Sequence, residues 1–309
     1  MARRYVIRQD AAPVAPISGI DYRTALNEEQ YAAVSSEPGP ALVIAGAGSG
    51  KTRTLTYRVA WLLDHGTDPW NILLLTFTNK AAREMTERVR SLIPLDLSRL
   101  WSGTFHSIAN RILRQHAEYL GYTPAFTIMD SDDRKSMIKS VVKSLKLDEK
   151  STRFPKPEVL SSLFSLADNE GANIRETQEN AYPYLSNHLD AILEVHDQYV
   201  ARKQETNSMD FDDLLLNVVR LFQEQEHLRA LYGSRFQHIL VDEYQDSNLV
   251  QEMITNCVSG WADGRKNIFM VGDVKQSIYK FRLARPELFL EKYDTYQESG
   301  DLCLSLIHI

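Results

Sequence analysis

The chain has 309 residues, 43% hydrophobic and 25% charged, which is enough apolar material for two domains without disulfide staples. A net charge of -6 excludes a globally basic nucleic-acid binder, so any such surface must be a local patch or a groove. Cys257 and Cys303 are too few for a disulfide framework or a metal site and point to a reducing cytoplasm, and no apolar run approaches the length that would make an integral membrane protein.

Residues 1–20 read as a flexible lead-in, with Arg3, Arg4 and Arg8 but none of the apolar stretch of a signal peptide. Asn27, followed by Glu28 and Glu29, predicts the cap of a short helix over 24–34. On it sits Gln30, whose amide is equipped to give and accept one hydrogen bond each, as an adenine edge requires; a surface glutamine is the plainer alternative.

Ala41 to Ile44 predict a buried strand, the small residues Ala45, Gly46, Ala47, Gly48, Ser49 and Gly50 a loop, and residues 54–63 a helix. That order suits phosphate: glycines let backbone N–H groups close around it, the helix N-terminus adds a positive dipole end, Lys51 neutralises charge, and the Thr52 hydroxyl offers a ligand to Mg2+. Ala45 stands where the pattern ordinarily has its first glycine. A glycine-rich turn with no ligand is the alternative, and the flanking strand and helix argue against it.

Further strands are expected over 71–77 and 99–102, each running into a helix, at 78–89 and 107–117. This alternation favours a parallel sheet. Thr76, Phe77, Thr104, Phe105 and His106 then fall at strand ends, the edge where open α/β sheets hold ligands. From 111 to 207 the alternation stops, and the segment reads as an inserted helical subdomain. Within it Lys135, Lys139, Lys143 and Lys146 share one helix face opposite Met137, Ile138, Val141, Val142 and Leu145, either as a phosphate-contacting stripe or as a solvated face.

The sheet is expected to resume in two strands, 236–241 ending at Asp242-Glu243, and 267–271 ending at Gly272-Asp273. An apolar strand delivering two carboxylates downstream of a phosphate loop reads as the second half of a nucleotide hydrolase. Asp242 would hold Mg2+ opposite Thr52, Glu243 would deprotonate the attacking water, and Gln276 would touch the terminal phosphate.

Seven segments, taken together, carry a family resemblance: Gln30, Ala45 to Thr52, Thr76 to Ala82, Gly103 to His106, Asp210-Phe-Asp-Asp213, Asp242-Glu-Tyr-Gln-Asp246 and Gly272 to Tyr279. In this order they resemble superfamily 1A DNA helicases of the UvrD/Rep/PcrA type, over residues from about 20 to 300. The resemblance implies an α/β fold, a RecA-like P-loop domain from 21–110 and 208–300 with the helical insert at 111–207. It implies ATP and Mg2+ as cofactors and single-stranded DNA and single-strand/duplex junctions as partners, with 3′-to-5′ polarity. By the same resemblance Gln30 reads adenine and Arg53 helps hold the nucleotide, while Lys51, Thr52, Asp242, Glu243 and Gln276 serve the triphosphate and its metal. Phe77, His106, Tyr279 and Phe281 line the DNA track, where aromatic faces stack any base at about 1–3 kcal/mol each.

Three departures from the family pattern follow. Tyr244 stands for the commoner phenylalanine, an exchange expected to be neutral. After about residue 251 the chain looks more like AddA, the motor subunit of a helicase-nuclease, so that enzyme is an alternative reading, as is a module that binds nucleotide or DNA without turnover. Residues 304–309 resemble a translated sequencing adaptor, so 301–309 reads as an artefactual tail, and the family's second motor domain is absent, so a truncated chain unable to unwind alone is expected.

Overall fold

The computed structural model describes residues 16–46, 48–147, 154–260, 267–273 and 285–306. The short α1 (Tyr22–Ala25) leads into α2 (Glu28–Ser35), which begins where expected because Asn27 and Gln30 cap each other reciprocally. Strand β1 (Ala41–Ile44) feeds the loop and α3 (Lys51–Asp64). Then come β2 (Ile72–Thr76), α4 (Asn79–Leu92) capped by Thr78, β3 (Trp101–Thr104), and α5 (Phe105–His116) capped by Thr104.

The next part of the chain is mainly helical. A two-residue strand β4 (Thr127–Ile128) precedes α6 (Ser131–Ser144), α7 (Pro157–Glu170), α8 (Ile174–Ala181) and α9 (Leu189–Glu205), and β5 (Ser208–Met209) returns to pair with β4. Two helices, α10 (Phe211–Glu224) and α11 (Glu226–Arg235), lead back to β6 (His238–Val241). The chain finishes with α12 (Leu249–Val258), β7 (Ile268–Gly272), α13 (Pro286–Ser299) and β8 (Leu302–Ser305).

Six strands form one parallel sheet in the order β3-β2-β6-β7-β1-β8. Successive residues of each strand point to opposite faces, and both faces are covered by helices, which explains the unbroken apolar runs seen in the sequence. Leu73, Leu75, Ile239, Val241 and Met270 face a core shared with α5, α10, α11 and α12. Leu74, Leu240, Val43 and Val271 face a second core built with α3 and α4. Because β6 and β7 lie between β2 and β1, the loops after β1, β6 and β7 open side by side on the carboxyl edge, where such sheets hold ligands.

The insert carries its own core, including Ile138, Val142, Leu160, Phe164, Ile192 and Tyr199. Its boundaries differ from those expected. Ile112, Leu113, Leu120, Tyr122 and Phe126 pack into the sheet's core, and the insert's core begins only at Met129, because α5 stays amphipathic toward the sheet well past residue 111. The motor sheet likewise extends beyond residue 300. Leu302–Ser305 pair with Ala41–Ile44, and Leu306 N donates to Ile44 O at 2.8 Å, so part of the stretch read as a tail is an edge strand of the sheet; residues 307–309 lie outside the described residues. The exchange of apolar side chains with the second core gives that pairing its physical reason, since Leu306 is buried there and Leu302 and Leu304 pack against it.

Candidate nucleotide and DNA site

Gly48 (φ 74°) and Gly50 (φ 88°) adopt left-handed backbone, and Gly50 is the cap residue of α3. A Cβ at Gly50 would also lie 2.5 Å from Gln30 Nε2, so only glycine fits there. Ser49 closes the turn, its N–H and its hydroxyl both donating to Gly46 O, at 3.2 and 2.8 Å. Ala45 has a reason for its methyl: the side chain is fully buried in the second core while its N–H donates to Gly272 O at 2.9 Å, prolonging the β1–β7 ladder. Lys51 and Thr52, both half-buried, open the helix that points its N-terminus at this loop. Ala47 lies outside the described residues.

Gln30 reaches the same loop. Its Nε2 donates to Ser49 O at 2.9 Å and its Oε1 accepts from Asn27 N at 3.4 Å, so in this structure both ends of the amide face the protein itself. Arg53 is exposed; its Nη2 donates to Ala25 O at 2.7 Å and its guanidinium lies 5.0 Å over the Tyr57 ring.

At the end of β6, Asp242 is 4% exposed, its N–H donates to Leu75 O, and its Oδ1 accepts from Glu243 N at 3.0 Å. Burial, aided by the neighbouring Glu243 charge, pushes its carboxyl up to about 7. Burial and then Asp246 raise Glu243 as well, and the Lys51 charge pulls both carboxyls back toward the ionised form. Glu243 stands at φ 49°, a left-handed backbone that costs a non-glycine residue about 1–3 kcal/mol and gathers at functional sites. A 3-10 turn over Tyr244–Asp246 follows. Gln245 anchors it: Nε2 donates to Asp246 Oδ2 at 3.1 Å, and Oε1 accepts from Asp273 N at 3.0 Å.

The donor set fits a magnesium nucleotide. It offers a left-handed glycine cradle, a helix N-terminus, one ammonium, one hydroxyl and one buried carboxylate. Among the described residues no group of three or more His, Cys, Asp and Glu could hold a metal alone, which matches an ion that takes one or two protein ligands and completes its shell with phosphate oxygens and water. Gln276, expected at the terminal phosphate, lies outside the described residues.

Tyr244 is not a mere stand-in for phenylalanine. Its ring is buried, and its hydroxyl donates to Glu252 Oε2; Glu252 Oε1 in turn pairs with Lys292 Nζ at 2.7 Å and accepts from Asn256 Nδ2 at 3.1 Å. Arg285 N donates to Ser247 O at 2.9 Å, so the stretch after residue 251 is bonded to the acidic segment before it.

Farther along the carboxyl edge, the ends of β2 and β3 open into a cavity of about 580 Å³ whose opposite wall comes from the insert. Phe77 and His106 line it, together with Thr76, Thr104, Ser165 and Asn169. The structure adds a residue that sequence reasoning missed. Phe211 also lines the cavity, is 53% exposed, and stands edge-on to His106 at 5.8 Å between ring centroids. The sequence offered it only as part of the segment Asp210-Phe-Asp-Asp213, without a role of its own. Tyr279 and Phe281 lie outside the described residues. The lysine face of α6 is solvated: Lys139 and Lys143 are exposed, and Lys135 pairs with Asp132 at 3.1 Å. Lys146, expected on the same face, lies past the end of the helix in left-handed backbone (φ 55°), and none of the four lines the cavity.

Comparison with known proteins supplies the family. Residues 26–297 match the UvrD/REP helicase N-terminal domain, a span that crosses residue 251 without a break. A protein of Staphylococcus aureus called ATP-dependent DNA helicase PcrA is 39% identical over 280 residues, which is 90% of this chain and 37% of that relative. The protein of the same name from Staphylococcus epidermidis is 40% identical over the same shares. The chain thus spans a little over a third of the length of these relatives. A RecA-like parallel sheet, a glycine-rich loop after β1 and a pair of carboxylates after β6 accord with that match, and the chain belongs to the UvrD/REP helicase family, whose N-terminal domain it contains.

Proposed function

We infer that this chain is the nucleotide-binding motor portion of an ATP-driven DNA helicase acting 3′ to 5′ in DNA repair or replication in the cytoplasm. One observation carries the reading: the buried Asp242, at the end of β6, shares the sheet's carboxyl edge with the glycine cradle that opens α3. Bound Mg2+ would add positive charge beside this carboxylate and the phosphates. Lys51 and the backbone N–H groups of residues 46–52 would hold the phosphates, and Thr52 and Asp242 the metal. Glu243, whose proton affinity burial has raised, would accept the proton of the attacking water at its carboxylate. Gln30 and Arg53 flank the far side of the loop, where the base and sugar would lie.

Single-stranded DNA is the proposed occupant of the cavity, and its junction with duplex the proposed substrate. Phe77, His106 and Phe211 would present faces and edges to bases, and among the described residues the lining holds no lysine or arginine. Bases would therefore enter and phosphates stay outside, which suits a track without sequence preference. Among the described residues no helix is long and apolar enough to cross a membrane. Unwinding is proposed for the longer protein of this family, not for residues 1–309.

Fluorescent ATP analogues with Mg2+ test the loop. Lys51→Ala should weaken binding at least about 100-fold, the loss of a charge-assisted contact worth roughly 3 kcal/mol; unchanged affinity would remove the nucleotide assignment.

A further inference from the structure

Where the insert meets the motor, one side-chain amide touches three separate parts of the molecule. Asn169, on α7 of the insert, accepts from Asn248 Nδ2 at 2.7 Å and donates from Nδ2 to Asp212 Oδ1 at 2.9 Å and to Ser165 O at 2.8 Å. Its orientation is fixed. Reversing the amide would set NH2 against NH2 at Asn248 and oxygen against carboxylate at Asp212.

Each partner is equally committed. Asn248 Oδ1 accepts from Gln251 N at 2.9 Å as the cap of α12, which leaves its NH2 for Asn169. Asp212 Oδ2 is bonded to Arg134 of α6. Asn248 closes the segment that starts at Asp242 and Glu243, turns through Tyr244–Asp246 and is pinned by Gln245. Asp212 follows Phe211, the aromatic residue in the cavity, and Asn169, Asp212 and Asn248 all line that cavity.

We propose that Asn169 is a positioning residue that couples the nucleotide edge to the DNA cavity, holding the insert's wall in register with the acidic segment 242–248. The proposal rests on the nucleotide and DNA reading above. A shift of the strained Glu243 turn reaches Asn248 within five residues of chain, and the amide carries it to the wall bearing Asn169 and to the segment bearing Phe211. A purely structural clasp would contribute to stability and leave the two ligands independent; a positioning clasp makes the affinity for one depend on the other.

The test measures both ligands on the whole 309-residue chain: a fluorescent adenine nucleotide with Mg2+, and a labelled oligothymidylate by anisotropy with and without saturating Mg2+ and ADP. The unmodified chain should bind each and show oligonucleotide affinity shifted by nucleotide on the order of 5-fold or more. Asn169→Ala should bring that ratio to within about twofold of unity. Asn248→Asp keeps an oxygen to cap α12 and loses the donor to Asn169, so it should do the same, and the double variant should add nothing. Melting curves establish that each variant is folded. A wild-type ratio of unity, or variants that keep the wild-type ratio, overturns the coupling while leaving the nucleotide and DNA reading intact. A chain that binds no nucleotide, or no oligonucleotide, overturns that reading and the coupling with it.

Discussion

Tyr244 shows how far a single hydroxyl can matter inside a conserved-looking motif. It hydrogen-bonds a buried carboxylate that also carries the Lys292 ion pair, so Tyr244→Phe removes a bond to a charged acceptor and should lower stability by about 1–2 kcal/mol. Urea denaturation reads this as a lower midpoint at unchanged slope; an unmoved midpoint would show the hydroxyl to be idle. Sequence could not supply this expectation, since Glu252 and Lys292 become partners only through tertiary packing. The placement of Lys51 and Thr52 at a helix start and of Asp242 and Glu243 just past a strand end was legible, because it depends on local pattern. Phe211 was not, because its exposure is decided by what fails to cover it.

At the scale of elements, the strands were read to within a few residues, helped by two-sided burial that leaves continuous apolar runs. Helix starts were equally plain where a side chain caps them, at Asn27 and Thr78. The insert's first boundary was hidden because α5 is one helix serving the sheet's core on both sides of residue 111. The edge strand β8 was hidden for a different reason: Leu302–Ser305 is too short to carry a period and acquires meaning only beside β1. Removing residues 301–309 would strip β1 of one neighbour and uncover Leu306's place in the second core. The melting temperature should fall by at least about 5 °C and self-association should rise. Scanning fluorimetry with light scattering checks both, and an unchanged melt would mean that β8 adds nothing to the sheet.

At the scale of the whole molecule, a seam of buried charge lies where the insert meets the motor. Arg134 and Lys203, both from the insert, meet Asp210, Asp212 and Asp213 of α10 and its cap, with Asp168 alongside. Burial, with Asp212 and Asp210 adding repulsion against the pull of Lys203 and Arg134, raises Asp168 to about 7. Its folded form therefore keeps a proton that the unfolded chain gives up near 4, and this group's contribution to stability falls as pH rises from about 4 to about 7. Asp213, raised to about 6 by burial and Asp210, acts in the same direction, whereas Asp210, held at about 2 chiefly by Lys203 and Arg134 against burial, contributes stability that is lost as pH falls from about 4 toward 2. Asp168→Asn should accordingly stabilise the chain by about 1 kcal/mol or more at pH 8 and by little at pH 4. Denaturation at the two pH values decides it: equal effects at both would show that Asp168 is not strained by its charge.

The position of β1 in the sheet also sets an order of assembly. Ala41–Ile44 are made early, yet their neighbours are Phe269–Gly272 and Leu302–Ser305, while β2 finds β3 after one helix. A chain emerging from a ribosome thus exposes the unpaired apolar strand that carries the glycine loop until residues 268–272 have been made. Ala45 N has no ladder partner until Gly272 exists. The cradle begins at β1 and is completed only by β7, so a growing chain holds no finished glycine loop before the acidic segment 242–248 has been made.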